Sequence, residues 1–409
     1  MRHVVLALTV AAYMITYMDR VVISAAVPSI QKEFGFSVVT MGWILGSFRW
    51  AYSIFQIPGG WLGDRFGPRR ALAGIVVWWS VFCTATIGMW SAPSMMACRF
   101  LFGMGEAGAF PIATRSLSRW MLPSERGFAQ GITHAGSRLG AAMTPALVGW
   151  LIVHYGWRTA FAAFGSLGLI WAVIWFWYYR DHPAQHAGVN AAELELMAGV
   201  AGQGGPARGA VPWRRILHSR QMWILSSAYF CYGYSLAVYL DWFPKYLNAE
   251  RGFSIEKMGI YASLPLLAGT FGDIAGGWVS DALAEQMGLS RARKSVAIAG
   301  FLIGAVSILA ACFAHNPVHS VWYSCIAMFG LELTVGVSWA IPLDIGGDFS
   351  GSVSAVMNTW GNMGGAISTT LSGYLVKYSG WNSIFVVMAV LAVLGAVLYT
   401  RIDAEKRIV

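Results

Sequence analysis

The chain has 409 residues, of which 57% are hydrophobic and only 11% charged, against about 25% charged in an ordinary soluble domain. That balance describes an integral membrane protein and excludes a soluble enzyme or binding domain. The net charge of +9 does not indicate a nucleic-acid partner, because the basic residues collect in the short loops between apolar runs.

Twelve apolar segments recur along the length, at 4–27, 38–62, 71–89, 95–117, 128–153, 160–178, 222–247, 258–283, 295–314, 321–341, 353–376 and 384–400. Each is about long enough to cross a ~30 Å hydrocarbon core as a helix. The predicted fold class is all-α integral membrane, with twelve transmembrane helices in a plasma membrane. A signal-peptide reading of the first segment draws on Arg2, the apolar run and Ala25-Ala26, but Asp19-Arg20 inside the run counts against it. With the N-terminus inside, the cytoplasmic ends and loops hold 17 Lys/Arg and the opposite side six. This asymmetry predicts both termini in the cytoplasm. The five cysteines, Cys83, Cys98, Cys231, Cys312 and Cys325, lie within or at the ends of the segments. They read as packing residues, with no disulfide or metal framework.

The first segment carries Tyr17-Met18-Asp19-Arg20. An ionisable group at mid-bilayer costs from about 2.5 to well over 10 kcal/mol on different scales, and such residues usually mark a polar pathway. Asp19 and Arg20 are therefore the first candidates for function. Between the second and third segments stands Gly60-Trp61-Leu62-Gly63-Asp64-Arg65-Phe66-Gly67-Pro68-Arg69-Arg70. Its glycines allow two helix ends to approach, and Asp64 with Arg65 and Arg69 can form a charge-assisted latch. The plainer reading of the arginines is that they anchor topology.

In the fourth segment Arg99 and Glu106 are seven apart, on one helix face but about 10.5 Å apart along the axis, so neither can be the other's only partner. Gly103, Gly105 and Gly108 spell a dinucleotide-binding pattern, but no strand or βαβ unit surrounds them. They read as close-packing positions between helices. The fifth segment holds His134, a hydrogen-bonded helix residue before it is a proton carrier, and Arg138, whose alternatives are a bond to substrate or to a buried acid such as Glu332 or Asp273.

The polar interval 180–220, with Pro183, Gly188 and Gly204-Gly205-Pro206, reads as a linker with one short helix at 191–199. A shift of 217 residues superposes Gly35-Phe36-Ser37 on Gly252-Phe253-Ser254, Met41-Gly42 on Met258-Gly259, Gly59-Gly60-Trp61 on Gly276-Gly277-Trp278, and Asp64 on Asp281. The chain is thus two related halves in a parallel repeat, 1–180 and 221–409, joined by 181–220. In the second half, tyrosines crowd the seventh segment, and Asn358 and Asn362, four apart, share a face suited to a polar pocket.

The 60–70 stretch matches at every position the signature of the major facilitator superfamily, which the chain resembles. The wider pattern of Tyr17–Arg20, Phe55-Gln56-Ile57-Pro58-Gly59-Gly60-Trp61, Arg99-Phe100, Glu106-Ala107 and Phe110-Pro111 resembles its anion:cation symporter family. The resemblance implies two six-helix bundles. It implies proton-coupling carboxylates at Asp19 and Glu106, a substrate-carboxylate ligand in Arg20 and a charge partner in Arg99. It further implies pocket lining by Tyr17, Tyr52 and Asn362, and a cytoplasmic gate at Asp64, Arg65, Arg69 and Asp281. Arg49 and Arg138 depart from the sugar-acid members and point to a more anionic or differently shaped substrate.

The expected function is proton-coupled symport of a small organic anion, a carboxylate or sugar acid, by a monomer with no cofactor. The alternative is a proton-coupled antiporter exporting amphiphilic compounds. The fifth-segment glycine-proline pattern of drug exporters fails here, because Gly136 and Gly140 are followed by proline only at Pro145.

Overall fold

The computed structural model describes residues 1–121, 126–198, 212–346 and 349–408. Helix α1 (Arg2–Phe34) starts two residues before the first apolar segment and runs seven residues past its end. Helix α2 (Val38–Ala85) carries the second and third predicted segments as one ribbon, turned only at Gly67 (φ 75°, ψ 152°), and ends in a 3-10 turn at Thr86–Gly88. Only glycine takes that φ without strain, and Pro68 restarts the helix with its φ already set. The fourth predicted segment is divided, unlike the continuous helix expected from its apolarity. Helix α3 (Ala92–Glu106) opens on a Ser91/Ser94 capping box and stops at Glu106, and α4 (Ala109–Trp120) follows at once. Pro111 explains the break, since it has no N–H to offer the carbonyl of Ala107.

Helices α5 (Arg126–Tyr155) and α6 (Trp157–Tyr178) complete the first half. The short α7 (Ala191–Ala198) and α8 (Trp213–His218) lie in the connection. The second half holds α9 (Arg220–Asp241), α10 (Phe243–Ala249), α11 (Ile255–Met287), α12 (Leu289–Phe313), α13 (Pro317–Gly346), α14 (Ser350–Ser379) and α15 (Trp381–Tyr399). Among the described residues, seven helices are individually long and apolar enough to cross a membrane. The divided fourth segment, in pieces of 15 and 12 residues, shows how the helix count and the segment count come apart.

The chain forms two compact units, Met1–Phe34 with Ser47–Pro206, and Gly35–Gly46 with Ala207–Val409. Inside each, helices meet where glycine removes a side chain. A Cβ on Gly59 would lie 2.5 Å from the Gly108 backbone, and one on Gly140 2.6 Å from the carbonyl of Met14. Gly165 and Gly168 admit Thr84 and Ser80. The second unit repeats the scheme. Gly276, the repeat partner of Gly59, abuts the Leu333 backbone, Gly361 and Gly364 admit Tyr229 and Phe230, and Gly395 admits Phe301. The 217-residue repeat is therefore a repeat of helix contacts: α1 with α5 as α9 with α14, and α2 with α6 as α12 with α15. Such small-residue seams are how apolar helices associate where lipid is as apolar as the side chains.

Because the obstacle at Gly59 is backbone, Gly59→Ala is expected to destabilise the protein by about 1–3 kcal/mol, measured as a lowered melting temperature in detergent. Unlike the seams, the outward surface is apolar and exposed, with Trp177, Trp278, Val173, Val306 and Val390 all more than 60% accessible. A soluble protein does not carry such a surface, and a lipid-facing one does.

Candidate functional site

Asp19, Arg20, Arg99 and Glu106 come together inside the first unit, all buried. Arg20 Nε donates to Glu106 Oε1 at 2.8 Å, and Nη2 bonds the same oxygen. The guanidinium lies between two tyrosine rings, 4.7 Å from the centroid of Tyr17 and 4.5 Å from that of Tyr52, with Phe48 at 5.4 Å. A planar cation stacked on π faces is held in orientation as well as in charge. Glu106 Oε2 accepts no hydrogen bond among the described residues. Arg99 stands over Phe48 at 4.9 Å and Phe102 at 4.6 Å. It faces both acids electrostatically, and Arg49 also faces Glu106.

Asp19, unlike Glu106, has no arginine bonded to it among the described residues. Consecutive helix residues point about 100° apart, so Asp19 turns away from the Arg20–Glu106 pair toward α2. There its Oδ2 accepts from Trp79 Nε1 at 3.1 Å and its Oδ1 from the Cys83 thiol at 3.6 Å. No guanidinium lies within ion-pair distance of Asp19 among the described residues. Sequence reasoning missed Trp79 and Cys83, whose i,i+4 spacing inside an apolar run is that of any packed helix face. It also missed Phe48, Phe102 and Tyr13. Tyr13 packs edge-on against Phe110 at 4.3 Å and against His134 at 5.8 Å. Arg138 lies near His134 on α5.

In the second unit Asn362 donates from Nδ2 to the Asn358 backbone oxygen at 3.0 Å, and both side chains are half-buried. The buried Glu332, whose partners the sequence did not identify, accepts from Tyr232 at 2.9 Å, and Trp339 donates to Tyr229 at 3.0 Å. All five cysteines are buried as free thiols.

Of the gate residues, the side chain of Asp64 lies outside the described residues, and Arg65 is exposed over Phe66. Arg69 is bound within its own unit. Its backbone N–H donates to Asp181 Oδ1 at 3.1 Å, its Nε donates to the Phe176 carbonyl at 2.9 Å, and Arg119 bonds the same Asp181 oxygen at 3.2 Å. Asp281 accepts from Arg293 at 2.8 Å, and the same guanidinium lies 3.5 Å from Asp344. These clasps staple neighbouring helix ends inside each half.

The model of the Major Facilitator Superfamily matches residues 9–369 and 283–408. The chain belongs to this superfamily. It is a multi-pass membrane transporter rather than an enzyme. It is 38% identical to the "Probable sulfoacetate transporter SauU" of Cupriavidus necator over 97% of this chain and 92% of that one. It is 31% identical to the "Hexuronate transporter" of Bacillus subtilis over 95% and 92% of the two chains. Among solved structures, a bacterial homolog of the human lysosomal transporter Spinster, in an inward-facing and unoccupied conformation, superposes with a TM-score of 0.79 at 18% identity, covering 97% of this chain and 96% of that one. The xylose transporter XylE of Escherichia coli gives 0.74 at 14%, with the same coverage. These superfamily structures establish the shared fold.

Proposed function

We propose that this transporter imports a small organic anion together with protons, through twelve membrane-spanning helices with both termini cytoplasmic. Bundles 1–180 and 221–409, joined by 181–220, would open alternately to the two sides. The reading rests above all on the Arg20–Glu106 pair, because a guanidinium already holding a buried carboxylate is prepared to hold another. A proton arriving on Glu106 removes its charge and releases Arg20 for the carboxylate or sulfonate of the cargo. Asp19, bound by neutral donors, takes its proton without breaking an ion pair. Both carboxylates then carry protons inward while Arg20, Arg99, Arg49 and Arg138 balance the anion. Tyr17, Tyr52, Asn358 and Asn362 shape the pocket.

The relatives named above support the anionic cargo by their names. Arg49 and Arg138 favour a compact, doubly charged anion of the sulfoacetate kind over a hexuronate. Purified protein in proteoliposomes, given an inward proton gradient, is expected to accumulate a short sulfocarboxylate against its gradient, and hexuronate at least ~10-fold more slowly. Equal rates for both would remove the preference. Absence of gradient-driven accumulation for any mono-, di- or sulfocarboxylate that shifts the melting temperature would remove symport itself.

A further inference from the structure

Trp79 and Cys83 stand one turn apart on α2, both buried, with the indole N–H of the first 3.1 Å from Asp19 Oδ2 and the thiol of the second 3.6 Å from Asp19 Oδ1. An indole N–H can only donate, and a thiol donates weakly. Together they clasp both oxygens of the carboxylate. The thiol also has a second acceptor in reach, the Phe161 carbonyl on α6 at 4.0 Å.

We propose that Trp79 and Cys83 are positioning residues that hold Asp19 as a proton carrier in both of its protonation states, an inference that rests on the coupling role assigned to Asp19 above. In the ionised state Trp79 donates to Oδ2 and Cys83 to Oδ1. When a proton adds to Oδ1, the thiol hydrogen rotates about its C–S bond from Oδ1 to the Phe161 carbonyl. Trp79 continues to donate to Oδ2, no covalent bond to carbon changes, and the carboxyl group stays where it was. The cradle thus lets one acid gain and lose a proton in a dry interior without a mobile counter-ion.

The other groups around Asp19 are few. Glu106 and Arg99 face it from α3, and Arg20 adjoins it on α1 with Tyr17 and Tyr13. From α5 come His134, packed on Tyr13, and Arg138. The charged residues that α6 and α4 carry are Arg158, committed to Glu33 at 2.6 Å, and Arg115 and Arg119, the latter bound to Asp181; none of them is placed against Asp19. None of these donates to Asp19, so the two α2 residues set its hydrogen bonding.

The test is the external pH at which gradient-driven uptake is half-maximal. A donor favours the charged form of a carboxylate, so removing one lets Asp19 keep its proton to higher pH. Trp79→Phe is expected to raise the half-maximal pH by about one unit, tenfold in proton affinity, and Cys83→Ala by about half as much. Cys83→Ser, which keeps a hydroxyl donor, is expected to bring the value back toward the parent. If Trp79→Phe does not fold, the Cys83→Ala and Cys83→Ser pair decides alone.

In an Asp19→Asn background, read by substrate counterflow across the same pH series, Trp79→Phe is expected to cause no shift. A parental midpoint in the folded single variants overturns the inference, as does a shift that persists without the Asp19 carboxyl, and both leave proton coupling standing. Concentrative uptake undiminished in Asp19→Asn alone overturns the coupling role and the inference with it.

Discussion

Asp19→Asn transporter, under an inward gradient of one pH unit, is expected to accumulate its anion about tenfold less than the parent, keeping only the share driven by the proton on Glu106. The parent is expected to gain about tenfold for each coupled proton, because one pH unit is 1.36 kcal/mol. The substitution is nearly isosteric, and the Asn oxygen still accepts from Trp79 or Cys83, so the fold is expected to persist. What disappears is the ability to take and release a proton. Counterflow, which needs binding and helix movement but no net proton transfer, is expected to continue in the variant. Radiolabelled uptake with and without the gradient separates the two, and gradient-driven accumulation at the parental level would remove Asp19 from coupling.

The second large effect concerns Arg20. Arg20→Ala leaves Glu106 buried without its guanidinium, which for a broken buried pair costs about 3–5 kcal/mol. A strongly lowered melting temperature is the expected result. Arg20→Ala combined with Glu106→Gln is expected to recover most of that stability, since no unpaired charge remains, yet to show no melting shift on addition of anion. Arg20→Lys keeps the charge but loses the stacked plane between Tyr17 and Tyr52 and the pair of N–H donors that Arg20 gives to one Glu106 oxygen. Its affinity for the anion is expected to fall ~10- to 100-fold, that is ~1.4 to 2.8 kcal/mol. A Lys variant that binds like the parent would deny Arg20 a place in anion recognition.

The parts of this site that sequence made legible are the ones that cost most to place in a membrane. Asp19, Arg20, Arg99 and Glu106 stand out because charge in an apolar run demands a reason, and Arg99 and Glu106 had to look elsewhere for partners because of their spacing. The glycines at 103, 105 and 108 were readable as packing positions, and they do admit Phe48, Trp78 and Gly59. The residues that were not legible are apolar or weakly polar ones whose role depends on a neighbour distant in sequence. Nothing in the α2 run distinguishes Trp79 from Trp78, yet the first donates to Asp19 and the second to the Leu101 carbonyl. The division of the fourth segment was written in Pro111, but hydropathy alone passes over it. Asp181 escaped notice because it sits in the polar connection, where a carboxylate needs no explanation.

The matching glycine seams leave each duplicate free to specialise. Backbone resting on backbone at Gly59 and at Gly276 holds the helices together without calling on the interior side chains. The first unit buries Asp19 and the Arg20–Glu106 pair among aromatic rings, and the second buries Glu332 beside Tyr232, with Asn358 and Asn362 half-buried on α14. A transporter of this build can be retuned to a new cargo by exchanging a handful of inward side chains, with its mechanical frame inherited unchanged.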